Sequence, residues 1–257
     1  MKNAVVTGAN RGLGLELCKQ LAEGGSYASV FALCRKTTDE LNQLAAQSNK
    51  IKVVEGVEVT KDDAASVLQE AFRTKAQPIP IHLLVHNAGG YGPPGGSLTD
   101  YTSQTLDNIT TERMRYAFDL NTIAPLMLTQ ALVPNLEVAA SSAEDPAKVV
   151  IISSAMGSIE ENTSGGHYGY RTAKAGVNMV GKSLSVDLKD KNIAVGLVHP
   201  GWVYTGFGGI DAQRRPGQRD VDESTRGVIE AIEKTTLETT GSFYHGNYGE
   251  GVKPLPW

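Results

Sequence analysis

The sequence predicts an α/β protein: one doubly wound parallel sheet of about seven strands, with helices on both faces. Short apolar runs alternate with helix-period segments six times along the chain. The runs lack polar/apolar alternation, as strands buried on both faces do. No linker, internal repeat or low-complexity tract divides the 257 residues, so 1–257 reads as a single domain.

Asn3–Thr7 is the first strand. Gly12–Glu23 is a helix, with Leu13, Leu17 and Leu21 on one face and Gly24-Gly25 as its stop. Ser29–Cys34 is a strand, Thr38–Gln47 a helix with Leu41, Leu44 and Ala45 inward, and Ile51–Val59 a third strand. Thr60 caps the next helix, with Asp63 in capping-box spacing and Val67, Leu68, Ala71 and Phe72 as its apolar face. Ile81–His86 is a fourth strand, and a Gly- and Pro-rich loop runs from Gly89 to about Asp107. A long helix from Thr111 to about Leu136 contains Pro125, which should kink it. Strand Val149–Ser153, a helix from about Tyr168 to Lys189, and strand Ile193–His199 follow. The irregular segment Pro200–Arg219 leads to a helix near Asp222–Thr235, and Ser242–His245 makes a last strand.

The bulk properties bound the function. A net charge of −4 gives no basic excess for nucleic acid or an anionic membrane. No apolar run approaches the ~20 residues of a membrane span. Met1-Lys2-Asn3 runs straight into a strand, without a basic leader. Cys18 and Cys34 form no disulfide framework and read as small core residues in a reducing compartment. The expectation is a cytoplasmic protein.

In such sheets ligands bind beyond the carboxyl ends of the strands. The first of these ends reads VVTGANRGLG, in which Gly8, Gly12 and Gly14 stand between a strand and a helix start. Glycines let a phosphate approach the free N–H groups and positive end of that helix. The turn lacks the Gly-Lys-Ser/Thr ending of a phosphate loop, which argues against a kinase or ATPase. An acid about 20 residues on would bind a ribose 2′-hydroxyl. Here the second strand ends in Cys34-Arg35-Lys36 instead. Two solvated loop charges would look the same, but these fall where the ribose should lie. Arginine can hold a 2′-phosphate through two charge-assisted bonds, with Arg11 as a further cation. NADP(H) is favoured over NAD(H).

Tyr170 and Lys174 are four apart and share a helix face. A tyrosine with a pKa near 10 needs a cation beside it to exchange protons at neutral pH. The pair is weak alone, but Ser153-Ser154, Asn87-Ala88-Gly89, Asn121 and His199–Thr205 all lie toward the same sheet edge.

In this order and spacing, TGANRGLG, NAG at Asn87–Gly89, Asn121, the serine pair, YRTAK and PGWVYT resemble the short-chain dehydrogenases/reductases over nearly the whole chain. HPGWV, then Thr205 with Gly206–Gly209, and the ending Lys253–Trp257, resemble most the C-factor and sniffer-type carbonyl reductases. The resemblance implies a Rossmann fold and NADPH-dependent reduction of an aldehyde, ketone or quinone. Tyr170 would be the proton donor; Lys174 would tune it and hold the nicotinamide ribose. Ser154 would hold the substrate oxygen, with Ser153 as fallback, and Asn121 would support a water relay. The cofactor would meet Gly8, Asn10, Arg11, Gly12, Leu13, Gly14 and Arg35 at the phosphates and ribose. Asn87, Ala88 and Gly89 would shape the adenosine-side floor. Pro200, Gly201, Val203 and Thr205 would lie near the carboxamide and phosphates. Glu58-Val59 replaces the family's frequent Asp-Val, and Glu58 would accept from the adenine amino group over an extra methylene.

Tyr168 lacks a lysine four residues on, and His86, His167 and His199 lack metal-ligand spacing, so no metal is expected. The segments Gly90–Gln104 and Gly206–Arg219 are candidate lids, and Tyr91, Trp202, Tyr204 and Phe207 suggest a hydrophobic or aromatic carbonyl substrate. The family often pairs its long helices, so a homodimer or homotetramer is possible. Two other readings stay open: an NADP(H)-binding signalling or interaction protein with little turnover, and an epimerase or dehydratase on the same scaffold.

Overall fold

A computed structural model describes residues 2–75, 77–91, 101–142, 145–205, 214, 216–246, 249 and 251–257. The central strands are β1 (Asn3–Thr7), β2 (Ser29–Leu33), β3 (Ile51–Val54), β6 (Leu83–His86), β7 (Ala147–Ile152), β8 (Ile193–His199), β9 (Ser242–His245) and β10 (Lys253–Pro254); the short pair β4 (Arg73–Thr74) and β5 (Gln77–Pro78) stands apart. The helices are α1 (Gly12–Glu23), α2 (Asp39–Gln47), α3 (Ala64–Ala71), α4 (Thr111–Phe118), α5 (Ala124–Ser142), α6 (Tyr168–Asp187) and α7 (Val221–Lys234). The main sheet has the order β10-β9-β8-β7-β6-β1-β2-β3. It is parallel except for β10, which pairs antiparallel with β9. The eighth strand corrects the expected width of about seven. It comes from the C-terminal Lys253-Pro254, too short to show a strand period.

The strands are buried on both faces because the sheet separates two cores. In β1, Val5 joins one core with Leu68 of α3, Leu132 of α5 and Val177 of α6. Ala4 and Val6 point the other way, against Leu17 of α1, Leu41 of α2 and Val228 of α7. Apolar residues at every position are what this geometry requires, which is why no alternation marks the strands.

Several expected boundaries move; the strand expected from Ile81 starts at Leu83, and the one expected over Val149–Ser153 spans Ala147–Ile152. The third strand ends at Val54, and Gly56 turns with φ +84°, so Glu58 and Val59 lie in the loop beyond it. The next helix begins at Ala64, with Asp63 at the N-cap making no side-chain cap bond; Thr60 instead bonds the Glu58 carboxylate at 3.2 Å. The kink expected at Pro125 is a π-helical turn over Asp119–Ile123 that separates α4 from α5. Proline has no N–H for the carbonyl four residues back, at Asn121, and a π turn absorbs that missing bond. The helix then continues to Ser142, past the expected Leu136, and tolerates Pro134. One stretch of Thr111–Ser141 is long and apolar enough to cross a membrane, but 56% of it is buried within the protein, where Leu128, Leu132 and Leu136 fill the core.

Because the chain runs from β1 to one sheet edge and then to the other, the strand order reverses between β1 and β6. In sheets of this kind the ligand crevice lies at such a reversal, beyond the carboxyl ends of the two strands.

Candidate active site

The glycine turn forms one wall of that crevice. Gly8 has φ +64°, a conformation open to glycine. A Cβ at Gly14 would run into the Gly8 carbonyl and the Asn87 amide. Asn87 sews this wall to the β6 end by donating to the carbonyls of Thr7 (3.0 Å) and Gly8 (3.1 Å). The Thr7 hydroxyl accepts from the backbone of both Asn87 and Ala88, each at 3.0 Å. Sequence reasoning missed Thr7; its signal was a polar side chain ending an otherwise apolar strand. The Asn10 carbonyl accepts from Thr38, the N-cap of α2, at 2.7 Å. Arg11 is exposed at the N-cap of α1, Gly12 faces Thr205, and Leu13 packs on the α1-side core. The first turn of α1 carries no acid, so its positive end stays open to an anion.

Arg35 and Lys36 are exposed beyond β2. Arg35 pairs with Glu58 at 3.3 Å, an ion pair that the chain pattern did not suggest. Val59, Ala88 and Thr7 come together with His86 and Leu120. His86 is a buried strand-end residue bonded to Thr129 at 2.8 Å. Thr129 already donates to the Pro125 carbonyl, so His86 Nε2 must carry the hydrogen, and burial pulls the imidazole pKa to about 3.

The second wall is built from β7 and α6. The two serines diverge. Ser153 is turned into the protein, its hydroxyl 2.5 Å from Oδ1 of Asn178. Ser154 caps the short turn Ala155–Gly157, its hydroxyl accepting from the Met156 N–H at 3.2 Å, and lies near enough to the Tyr170 phenol to draw its pKa down. Asn178 was missed; it lies one helical turn beyond Lys174 on the same face. Tyr170 is 6% exposed, whereas Tyr168 is 36% exposed. Burial and the neighbouring Tyr91 phenol push the Tyr170 pKa up, and the Ser154 hydroxyl pulls the other way. Lys174 donates to the Ile152 carbonyl at 2.8 Å and stands 5.6 Å from the Tyr170 ring centre. Burial lowers its pKa to about 7, so near neutrality it is only partly charged. In this geometry the lysine's burial weakens the electrostatic support expected for a phenolate.

Asn121 sits in the π turn. It accepts from the Gly90 N–H (3.1 Å) and donates to the carbonyls of Gly90 (2.8 Å) and Ala117 (2.9 Å). A Cβ at Gly89 would lie 3.0 Å from Asn121 Oδ1 and 3.5 Å from Lys174 Nζ, so all three residues converge there.

The third wall follows β8. The Pro200 carbonyl accepts from Ser224 at 2.6 Å, and Gly201 turns with φ +86° against Arg219. Val203 bridges Arg219, and Thr205 reaches the glycine turn. Tyr91 was expected as lid aromatic surface toward a substrate; its ring lies directly on Tyr170. Phe207, Gly206–Gly209, and most of the two lid segments lie outside the described residues.

Known proteins resemble this chain in sequence and in fold. The family model for short chain dehydrogenase matches residues 2–214. The Myxococcus xanthus protein C-signal is 33% identical over 187 residues, covering 73% of this chain and 99% of that protein. The carbonyl reductase Sniffer of D. melanogaster superposes with a TM-score of 0.85 at 32% identity, covering all of both chains. An NADPH-bound carbonyl reductase from chicken fatty liver gives 0.82 at 31%, covering 100% of this chain and 99% of that one.

Proposed function

The chain belongs to the short-chain dehydrogenase/reductase family of oxidoreductases, and from that premise we propose that it reduces a carbonyl to an alcohol with NADPH. The observation that carries the proposal is the meeting of Ser154, Tyr170 and Lys174 at the crevice floor, opposite a glycine wall fit for phosphates. The residues fit a dinucleotide. The turn has no room for a side chain at Gly14, the α1 end is free of acids, and Arg35 stands where an adenosine ribose would lie. Arg35 favours a 2′-phosphate, as does the NADPH held by the chicken relative.

The cofactor, when bound, supplies the hydride. Tyr170 holds the proton, and its burial keeps the phenol protonated until a substrate oxygen develops charge beside it. Ser154, whose hydroxyl neighbours that phenol, orients the same oxygen. The protonated fraction of Lys174, on the same helix face as Tyr170, would stabilise the phenolate left when the phenol gives up its proton. Asn121 and Gly89 shape the floor beside Lys174, where a water relay to solvent would run. Tyr91 and Trp202 favour a hydrophobic or aromatic carbonyl. The exposed Leu126 and Met127 of α5 and Met179 and Val186 of α6 favour self-association, which light scattering would test. The buried thiols of Cys18 and Cys34 suit the cytoplasm.

The test is NADPH oxidation at 340 nm over a panel of aldehydes, ketones and quinones. The wild type should turn over at least one of them, and Tyr170→Phe none, with both binding NADPH. Binding without turnover by either protein would favour the second reading, a signalling protein, which the likeness to C-signal supports.

A further inference from the structure

Resting on that assignment of Tyr170 as proton donor, we propose that Tyr91 is a positioning residue for Tyr170, a flat wall that fixes the plane of the phenol and shields one of its faces from water. The two rings lie 3.9 Å apart, centre to centre, and within 7° of parallel.

Tyr91 is anchored from several elements at once. Asn121 clamps Gly90, the residue before it, through both the N–H and the carbonyl. Gln104 donates to the Tyr91 carbonyl at 3.3 Å. The Tyr91 hydroxyl meets the Met156 sulfur at 3.2 Å, on the turn that Ser154 caps. His167 packs edge-on against the ring, 5.8 Å between centres. One side chain therefore ties together the Ser154 turn, the start of α6 and the loop held by Asn121. These are the parts that must stay in register for a substrate oxygen to meet Ser154 and Tyr170 together. A tyrosine suits the task because it fixes a large area with only two side-chain torsions.

The stack also has a direction. A buried aromatic face removes water that would solvate a phenolate, and at alkaline pH a Tyr91 phenolate would repel a second charge beside it, so Tyr91 helps hold Tyr170 in its protonated form. Reduction starts from that form and alcohol oxidation from the phenolate. Tyr91 thus biases the site toward reduction.

Tyr91→Leu and Tyr91→Phe test the proposal. In Tyr91→Leu, kcat for carbonyl reduction should fall roughly ten- to a hundredfold, the cost of a loosened catalytic group. NADPH affinity should stay within about twofold, as expected of a residue off the cofactor. The alkaline limb of the reduction profile should move to lower pH, because Tyr170 would lose its proton more easily. Tyr91→Phe keeps the stack and should recover most of the kcat. A second readout needs no turnover. In protein labelled with ¹³Cζ-tyrosine and free of cofactor, the resonance missing from Tyr170→Phe reports Tyr170. It should begin to ionise at lower pH in Tyr91→Leu than in the wild type. An unmoved resonance, or a rise in kcat/KM that marks the ring as an obstruction, would overturn the proposal. Should Tyr91→Leu fail to fold, the resonance in Tyr91→Phe, which lacks the second ionisable phenol, must shift in the same direction. A wild type that reduces no carbonyl would defeat the functional reading, and the resonance would still decide the coupling of the two tyrosines.

Discussion

At one end of the crevice, around Arg35, Glu58 and the glycine turn, the charged side chains stand in water; Arg35 is 54% exposed and Glu58 28%. Shape there comes from backbone, with positive-φ glycines and the Asn87–Thr7 bonds holding two strand ends together. At the other end Ser154, Tyr170 and Lys174 are each less than 9% exposed, and side chains make the shape. Water screens the first set of charges, so their pair contributes about 0–1 kcal/mol and is readily exchanged for a ligand's charge. In the second set burial drives both the phenol and the ammonium toward their neutral forms. The exposed end can select a ligand at little cost to the fold. The buried end carries its chemistry as a standing burden on stability.

The largest expected effect lies at the buried end. Tyr170→Phe should lower the reduction rate by about 10²–10⁴-fold, the usual contribution of a positioned acid. Its melting temperature should hold or rise, since a buried hydroxyl is removed; an equal loss of folding would break the contrast. Next comes the serine pair. Ser154→Ala should cut kcat with little change in stability. Ser153→Ala leaves the buried Asn178 oxygen without its partner and should cost about 1–3 kcal/mol, with activity largely kept. Chemical denaturation and initial rates on both variants would show whether the roles are reversed.

Lys174 sharpens the contrast through pH. Its folded pKa of about 7 lies below the unfolded value of ~10.4, so between these the unfolded chain binds the extra proton. The lysine's contribution to unfolding free energy should therefore rise from about pH 7 to pH 10. Lys174→Met should lack that rise, and the difference between the two denaturation profiles isolates it. Parallel profiles would mean that the lysine titrates normally. The smallest effects belong to the exposed end. Arg35→Ala should weaken NADPH about tenfold more than NADH, the worth of one charge-assisted contact. Glu58→Gln should tighten NADPH a few-fold by freeing Arg35 from its carboxylate. Fluorescence titrations of both nucleotides measure this, and equal changes for each would remove the 2′-phosphate from the argument.

The alternation of strands and helices was legible because each strand is buried on both faces and each helix repeats its apolar stripe. α1 was legible to the residue, since Gly12 and Gly24 bracket it. The start of α3 was not, because Thr60 has a local partner in Glu58 that competes with capping. The π turn at Asn121 was readable only as a proline kink, since one missing N–H can be absorbed in several ways.

What the sequence by itself determined is the set of parts: the glycine turn, the Tyr170–Lys174 pair one helical turn apart, the two serines and a strand end of cations. These follow from local spacing, which fixes geometry over a few residues. The tertiary structure alone decided that Ser153 turns inward to Asn178, that Arg35 pairs with Glu58, and that Tyr91 lies on the phenol. Each of these joins residues from different elements. Packing, which sets such contacts, depends on how whole layers close on one another and leaves no period in the chain.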